Sequence, residues 1–282
     1  MLRLMLNRHS RLAIPFESHF LRQIFVELPS DRPLEAQEAD RMADLVTGEK
    51  NFRTWHLDAN RVRQELVRLA PSTLALLVDA LFRMEIAESG KPRWGDKTPL
   101  YYACWRQLMG LFSGSKLVHI IRDGRDVSRS LEKVGWHGPT GYHRARYWQQ
   151  RVEMAHDAAR ELGPERNLMI RYEDLVLETR ATLAAVCKFL GETYEPKMLD
   201  FFEDAGAHIS DIDGNVHGKL GRAPRPEDVG RWRREMSLVR QIQFEAVAGN
   251  SLRAMSYPCL FSRIAAPLSP LYRWLNEPFE QA

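Results

Sequence analysis

The sequence predicts an α/β protein built on a parallel sheet. Two short apolar runs, residues 116–121 (KLVHII) and 167–171 (NLMIR), have the length and β-branched content of buried strands. Segments with helical spacing of apolar residues separate and follow these runs, and this alternation favours parallel pairing. The chain shows neither an internal repeat nor a linker, so we expect one domain over residues 1–258 and a surface-packed tail over 259–282.

The part of the chain before the first apolar run is predicted to be mostly helical. Pro71 divides two of the helices, and Ser72 is expected to cap the second of them. The turn GDKTP at 95–99 is expected to precede another helix that reaches about residue 112. The other predicted elements are a helix at 2–9, a short strand at 11–15, a polar, exposed excursion at 30–60 with a helix near 34–46, and the two helices at 60–70 and 72–88.

The second half of the chain alternates helices with glycine-rich loops. A long helix at 144–162 carries an apolar stripe and stops at Gly163-Pro164, and another helix closes at Gly191. The remaining predicted elements are a helix at 125–133, a loop at 134–143, a helix at about 179–190, a polar loop at 204–228 and a helix at about 235–255.

Composition excludes several classes of protein. Hydrophobic residues make up 44% and charged residues 27% of the 282, which is typical of a globular chain and unlike disordered, collagenous or disulfide-scaffold sequences. Forty basic residues against 37 acidic ones leave a net charge of +3, too small to favour nucleic acid as the main partner. A local basic pocket for an anionic ligand remains compatible with this balance.

Cysteine usage and hydropathy bear on the compartment. Cys104, Cys187 and Cys259 are odd in number and widely spaced, which indicates a reducing, cytoplasmic setting rather than a disulfide framework. No uncharged run exceeds about ten residues, so no membrane span is expected. The histidines lack zinc-site spacing, and the acidic segment at 211–222 lacks the glycine and glutamate positions of a calcium loop, so we expect no metal.

The segment HIIRDGRDVSRSL at 119–131 is the strongest candidate for binding chemistry. Arg122 stands where a buried strand ends and a helix begins, and Ser130 follows eight residues later. Strand ends and helix N-termini favour anions, and a guanidinium supplies a fixed fork for phosphate. The alternative interpretation, about equally favoured for an isolated RDxRD, is a salt-bridged corner between strand and helix.

Two further residues are candidates for catalysis. Lys97, in the GDKTP turn, is placed to neutralise charge on a phosphate or a leaving group. Glu17 follows the strand RLAIP, where a carboxylate can act as a general base. Each of them, taken alone, is more often a solvated surface charge.

Taken together, these motifs resemble the sulfotransferases that use 3′-phosphoadenosine 5′-phosphosulfate (PAPS), most closely the bacterial and protein-tyrosine branch. The resemblance covers nearly the whole chain and rests on the order of its motifs, since no single one is decisive. Those motifs are Glu17, DKTP at 96–99, RDGRD at 122–126 with Ser130, RYEDL at 171–175, KFLG at 188–191, GRW at 230–232 and AMSY at 254–257. It implies a three-layer parallel sheet of the P-loop nucleotide-binding type.

The resemblance also implies a role for each candidate. Arg122 and Ser130 would bind the 3′-phosphate of PAPS, Tyr172 would contact the adenine side, and Arg231 would close over this co-substrate. Lys97 would stabilise charge on the sulfuryl group and the leaving phosphate, and Glu17 would take the proton of the acceptor hydroxyl. The loop 217–226 would cover PAPS, with Lys219, Arg222 and Arg225 left unassigned.

One element of the family pattern is missing. Family members carry an N-terminal strand and a loop of the type PRSGTT, which wraps the 5′-phosphosulfate. Here LRLMLNRHSRL, from residue 2, resembles the helix that directly follows that loop. Either the start was placed at an internal methionine, which we favour, or the chain lacks this strand and loop. The basic start is then a buried helix and not a transit peptide.

The sequence leaves the acceptor open among a small molecule, a glycan, a lipid and a peptide. Trp55, Trp136 and Tyr142 would form an aromatic wall for it or serve as packing residues, and we favour packing. Two other functions are weighed against the sulfotransferase: an inactive relative that binds a nucleotide or a protein, and a small-molecule kinase. The second is disfavoured because the sequence has neither a GK[ST] loop nor an acidic Mg²⁺-binding pattern.

Overall fold

The computed structural model describes residues 1–135, 137–138, 140–203, 223 and 225–276, with the side chains of 273–276 left out. Most of the predicted polar loop at 204–228 therefore lies outside the described residues. The chain divides into a first unit, Met1–Ser115 with Tyr194–Ala223, and a second unit, Lys116–Thr193 with Pro224–Ala282.

The first unit is largely helical with one small parallel strand pair. Its elements are α1 (Leu2–Asn7), β1 (Leu12–Ala13), α2 (Leu21–Glu27), α3 (Ala36–Thr47), α4 (Ala59–Leu69), α5 (Leu74–Ile86), β2 (Arg93–Trp94) and α6 (Trp105–Leu111). Strands β1 and β2 pair in parallel, with Leu12 opposite Arg93. A 3₁₀ turn, Pro99–Cys104, separates β2 from α6.

The predicted cap of α5 is wrong by one residue. Thr73, not Ser72, is the N-cap, and its hydroxyl accepts the N–H of Leu76 at 3.4 Å. The backbone of Ser72 forms an isolated antiparallel bridge with Leu34, so this residue is held in an extended conformation before the helix begins.

The stretch from 30 to 60 is not the exposed excursion that its polarity suggested. Helix α3 buries Ala39, Met42 and Val46 completely, because its apolar residues fall on one stripe that packs in the core of the first unit. Trp55 joins the same core, with its ring 5.3 Å from that of Phe20 in an edge-on contact. For Trp55, packing is therefore the correct interpretation.

The second unit contains a longer parallel pair. Its elements are β3 (Leu117–Ile121), α7 (Gly124–Val134), α8 (Gly141–Leu162), β4 (Asn167–Arg171), α9 (Tyr172–Leu177), α10 (Thr179–Leu190), α11 (Trp232–Glu235), α12 (Leu238–Ala254) and α13 (Ser262–Asn276). Strands β3 and β4 run parallel from Leu117 opposite Asn167 to Ile121 opposite Arg171. The two parallel pairs confirm the prediction of an α/β protein with parallel pairing; the missing first strand concerns residues before Met1 and stays a prediction.

Strand β3 is less buried than its apolar sequence predicted. Ile121 is 8% exposed and packs with Tyr142 and Trp148 of α8, whereas Ile120 is 42% exposed. Successive side chains of a strand point to opposite faces, so the helical cluster covers the face of Ile121 and leaves that of Ile120 open. Burial of Tyr142 in this cluster makes it a packing residue too, while Trp136 lies outside the described residues.

Candidate active-site residues in the two units

Glu17 and Lys97 meet in the first unit because each follows one strand of its parallel pair. The carboxyl ends of parallel strands lie at one edge, where α/β proteins place their ligands. Glu17 comes after β1 and Lys97 after β2, and Lys97 Nζ contacts Glu17 Oε1 directly. The second carboxylate oxygen, Oε2, lies 3.0 Å from Nε2 of His19. Both oxygens of the candidate base are thus engaged by basic side chains.

This group remains reachable from solvent. The side chain of Glu17 is 20% exposed and that of Lys97 is 44% exposed. His19 adopts a positive φ of 57°, a conformation that non-glycine residues seldom take and that occurs often at functional turns. From the sequence, His19 was not placed in the predicted site and was only the next candidate for the base role after Glu17.

Asp96 links the segment that carries Glu17 to the turn that carries Lys97. Its Oδ2 accepts the hydroxyl hydrogen of Ser18 at 2.7 Å and that of Thr98 at 3.3 Å. The backbone N–H of Ser18 donates to Thr98 Oγ1 at 3.0 Å, and Tyr101 Oη lies 2.7 Å from Ser18 Oγ. Desolvation of this carboxyl raises its pKa from 3.8 to about 6.

Arg122 and Tyr172 meet in the second unit by the same geometric rule. Arg122 follows β3, Tyr172 follows β4, and the guanidinium lies over the tyrosine ring with its carbon 4.6 Å from the ring centroid. Arg122 Nη2 donates to the carbonyl oxygen of Asp228 at 2.7 Å. Desolvation raises the pKa of Tyr172, so its phenol stays protonated at neutral pH.

The second arginine of the RDGRD motif has a different environment. Arg125 is fully buried, bonded to Asp123 through Nε at 3.0 Å and through Nη2 at 2.8 Å, and to Glu245 through Nη1 at 3.0 Å. Its guanidinium also lies 3.6 Å from the ring centroid of Trp232. The salt-bridged corner considered for this motif is therefore real, and it is formed by Arg125 and Asp123, while the Arg122 side chain keeps 25% of its surface exposed.

Of the other two predicted PAPS-binding residues, one lies on α7 and the other directly before α11. Ser130 is exposed on α7, about two turns after Arg122. Arg231 immediately precedes α11; its Nε donates to Glu235 Oε1 at 2.7 Å, and its Nη1 lies 3.9 Å from an Asp228 carboxylate oxygen. Of the three unassigned cations, Arg225 is exposed, and Lys219 and Arg222 lie outside the described residues.

In the part of the chain that the structure describes, no cluster of three or more histidine, cysteine, aspartate or glutamate side chains is arranged to hold a metal ion. Nor is any helix among the described residues both long and apolar enough to span a bilayer.

Known sequences are similar to this chain over part of its length. The model of the sulfotransferase family matches residues 1–196. Protein-tyrosine sulfotransferase of Drosophila melanogaster is 29% identical over 128 residues, which is 43% of this chain and 26% of that protein. Protein-tyrosine sulfotransferase 2 of Gallus gallus is 26% identical over 153 residues, which is 52% of this chain and 41% of that protein. The matches thus span less than half the length of either relative.

Two solved structures share the fold. The sulfotransferase domain from the curacin biosynthetic pathway superposes with a TM-score of 0.60 at 21% identity, covering 91% of this chain and 93% of that one. The sulfotransferase domain of the Synechococcus PCC 7002 olefin synthase gives 0.61 at 20% identity, covering 91% and 90%. At this identity the likeness shows the fold alone.

Proposed function

The chain belongs to the sulfotransferase family, and from this premise we propose that it transfers a sulfuryl group from PAPS to a hydroxyl or amine acceptor. The observation that carries the proposal is the contact between Lys97 and Glu17. These residues are 80 positions apart, yet the ammonium of one touches the carboxylate of the other. They are the two residues to which the family resemblance assigns catalysis.

In the proposed reaction, each residue of this pair has one task. Glu17 accepts the proton of the acceptor hydroxyl through a carboxylate oxygen, which makes the acceptor oxygen nucleophilic. Lys97 places a positive charge where negative charge develops on the transferring and leaving groups. His19, on the other oxygen of Glu17, holds the carboxylate in one orientation. PAPS, when bound, supplies the sulfuryl group and the phosphate that leaves.

The residues of the second unit fit the nucleotide end of PAPS. The Nε atom of Arg122 is buried without a hydrogen-bond partner among the described residues, so this guanidinium has donor capacity left for a phosphate. Its outer face is partly exposed and its inner face is supported by Tyr172. We assign Arg122 and Ser130 to the 3′-phosphate, Tyr172 to the adenine side and Arg231 to closure over the nucleotide.

Acceptor and compartment are further parts of the proposal. Small metabolites, glycans, lipids and peptides are the candidate acceptor classes, and the names of the two relatives make a tyrosine peptide the first to test. Cys104, Cys187 and Cys259 form no disulfide bond among the described residues, which supports a reducing, cytoplasmic setting.

A ligand-induced shift in thermal stability tests the donor assignment. A ligand that binds only the folded protein raises its melting temperature with concentration. We expect adenosine 3′,5′-bisphosphate to do so, and ATP with Mg²⁺ at the same concentration to have no effect. Transfer of label from PAPS to a panel of the four acceptor classes then tests the reaction. Stabilisation by ATP with Mg²⁺ alone would overturn the proposed function.

A further inference from the structure

Asp126, which no part of the proposed reaction uses, is fully buried in the first turn of α7. Its carboxylate accepts two backbone N–H groups from a distant segment. Oδ2 accepts from Gly230 at 2.9 Å, and Oδ1 accepts from Trp232 at 2.8 Å. Gly230 and Trp232 flank Arg231 in the chain. One carboxylate therefore fixes the backbone on both sides of the arginine that is predicted to close over PAPS.

The backbone of this segment is shaped to enclose the carboxylate. Gly230 has a φ of 67°, in the left-handed region, and the next residue, Arg231, is right-handed helical with a φ of −60°. Adjacent residues of opposite hand turn their N–H groups into one concave cradle for an anion. A side chain at position 230 would be strained in this conformation, which explains the glycine.

The carboxylate of Asp126 also contacts Arg122, which is predicted to bind the 3′-phosphate. Arg122 Nη2 lies 3.5 Å from Asp126 Oδ2 and donates to the carbonyl oxygen of Asp228 at 2.7 Å. Three contacts therefore join the Arg122–Asp126 pair to residues 228–232. The remaining cation beside Asp126 is Arg129, whose Nε is 3.9 Å from Oδ1.

We propose that Asp126 is a positioning residue that fixes Arg122 and Arg231 at one spacing, so that both guanidinium groups serve the 3′-phosphate end of the donor. This inference rests on the proposed function, from which it takes Arg122 as a ligand of the 3′-phosphate. It adds that Arg231, which closes over the nucleotide in that proposal, reaches the same phosphate. Asp126 itself is buried and touches no ligand. It acts through the backbone of residues 230–232 and through the charge that it shares with Arg122.

The substitution Asp126→Asn weakens the positioning role of this side chain with little change in its volume. An asparagine side chain has one acceptor oxygen, so its amide group must face one of the two N–H donors, or Arg122, without a bond. The segment 230–232 then loses one of its two anchors. We expect about a tenfold loss of affinity for adenosine 3′,5′-bisphosphate, as for the loss of a charge-assisted hydrogen bond. Affinity for adenosine 5′-monophosphate, which lacks the 3′-phosphate, should not change.

Asp123→Asn is the matched control. Asp123 is buried in the same motif, but its carboxylate bonds to Arg125 and caps α7, and asparagine is an equally good cap. A general loss of stability therefore affects both variants, whereas a change in the preference for a 3′-phosphate is expected only for Asp126→Asn.

Two measurements test whether Asp126 positions Arg122 and Arg231. Titration calorimetry gives the ratio of affinities for the bisphosphate and the monophosphate, and amide hydrogen exchange of the ligand-free protein follows the N–H groups of Gly230 and Trp232. The inference expects Asp126→Asn to reduce this ratio about tenfold and to speed exchange at Gly230 and Trp232 more than in the rest of the second unit. Asp123→Asn should keep the wild-type ratio and show no such local excess. If Asp126→Asn fails to fold, Gly230→Ala loosens the same cradle without removing the buried charge and should give the same pair of changes.

The outcomes separate this inference from the proposed function. A wild type that binds both nucleotides equally overturns the donor site, and the positioning role with it. A wild type that prefers the bisphosphate, combined with a variant that keeps this preference, overturns the positioning role alone.

Discussion

The two units position their predicted site residues in the same way but surround them with different chemical groups. Each brings two predicted site residues together from the ends of neighbouring parallel strands, Glu17 with Lys97 in the first unit and Arg122 with Tyr172 in the second. Each also has an aspartate next to the pair, half-buried Asp96 in the first unit and fully buried Asp126 in the second. Hydroxyl groups surround Asp96 in the first unit, whereas Asp126 in the second accepts two backbone N–H groups beside two arginines.

The difference concerns how much charge compensation each aspartate receives. Hydroxyl groups are neutral donors, and for Asp96 they do not offset the desolvation, so its pKa rises to about 6. Asp126 instead accepts two backbone N–H groups and has the guanidinium groups of Arg122 and Arg129 as neighbours. The first unit therefore carries an aspartate whose pKa is raised to about 6, and the second an aspartate held by backbone N–H donors and neighbouring cations. Variants in the two units should accordingly affect different properties.

The largest expected effect is that of Glu17→Gln on turnover. Removing a general base lowers kcat by about 10²–10⁴, while the affinity for adenosine 3′,5′-bisphosphate should stay within about twofold of the wild type. Steady-state kinetics with PAPS and calorimetry with the bisphosphate measure the two quantities. Glu27→Gln, an exposed glutamate paired with Arg41 on the same unit, is the matched control. Near-normal turnover in Glu17→Gln would transfer the role of base elsewhere, with His19→Asn as the next variant.

Lys97→Ala should lower kcat by about 10²-fold or more and also weaken PAPS binding, because the ammonium acts on charge in both the bound and the transition state. Comparing kcat with KM for PAPS separates the two contributions. A change in KM alone would mean that Lys97 binds the donor without assisting transfer.

Arg122→Ala should mainly weaken binding. Loss of a charge-assisted hydrogen bond to phosphate reduces affinity for adenosine 3′,5′-bisphosphate about tenfold or more, and Ser130→Ala should produce a smaller loss. Binding of adenosine 5′-phosphosulfate, which lacks the 3′-phosphate, is the control and should not change in either variant. Equal losses for both nucleotides would show that the assignment of the 3′-phosphate is wrong.

The smallest expected effect is on the pH dependence of stability in Asp96→Asn. Between pH about 4 and about 6 the folded protein holds the Asp96 proton that the unfolded chain has released, so this residue lowers the free energy of unfolding as pH rises through that window. Asparagine does not titrate, and its carbonyl can still accept a hydroxyl hydrogen. The melting temperature of the variant relative to the wild type should therefore rise by a few degrees (~2–4 °C per kcal/mol) from pH 4 to pH 7. A difference that is constant over this range would contradict the prediction.

Local signals in the sequence were enough to predict several elements. Strand β4 and helix α10 have the predicted bounds, because a compact apolar run defines the first and Gly191, in the left-handed conformation, ends the second. Helix α9 was missed: its six residues follow β4 directly and end at Leu177, one residue before α10 begins, so it has no separate start or stop signal. The burial of α3 was also missed, because it depends on packing against α2 and α4, which the polar composition of residues 30–60 does not reveal.

The candidate site was predictable at the level of motifs and not of contacts. RDGRD indicated both a phosphate site and a salt-bridged corner, and the structure contains the corner and a partly exposed Arg122 beside it. Which of the two arginines forms the corner and which stays partly exposed depends on partners more than 100 positions away. Asp228 is such a partner for Arg122, and Glu245 for Arg125. No local pattern reports such partners. The same holds for the bonds from Asp126 to Gly230 and Trp232.

The burial of Arg125 restricts which substitutions the RDGRD motif can accept at this position. Its planar guanidinium bonds to two carboxylates and lies against the ring of Trp232, three contacts that the single ammonium of a lysine cannot reproduce. Replacement of arginine by lysine is often neutral on a protein surface. At position 125 we expect it to destabilise the protein. Lineages that lose the activity would still be expected to keep this arginine, because the folded second unit needs it. Its presence in a related sequence is evidence of the fold, and Arg122 is the residue whose loss would mark a change of ligand.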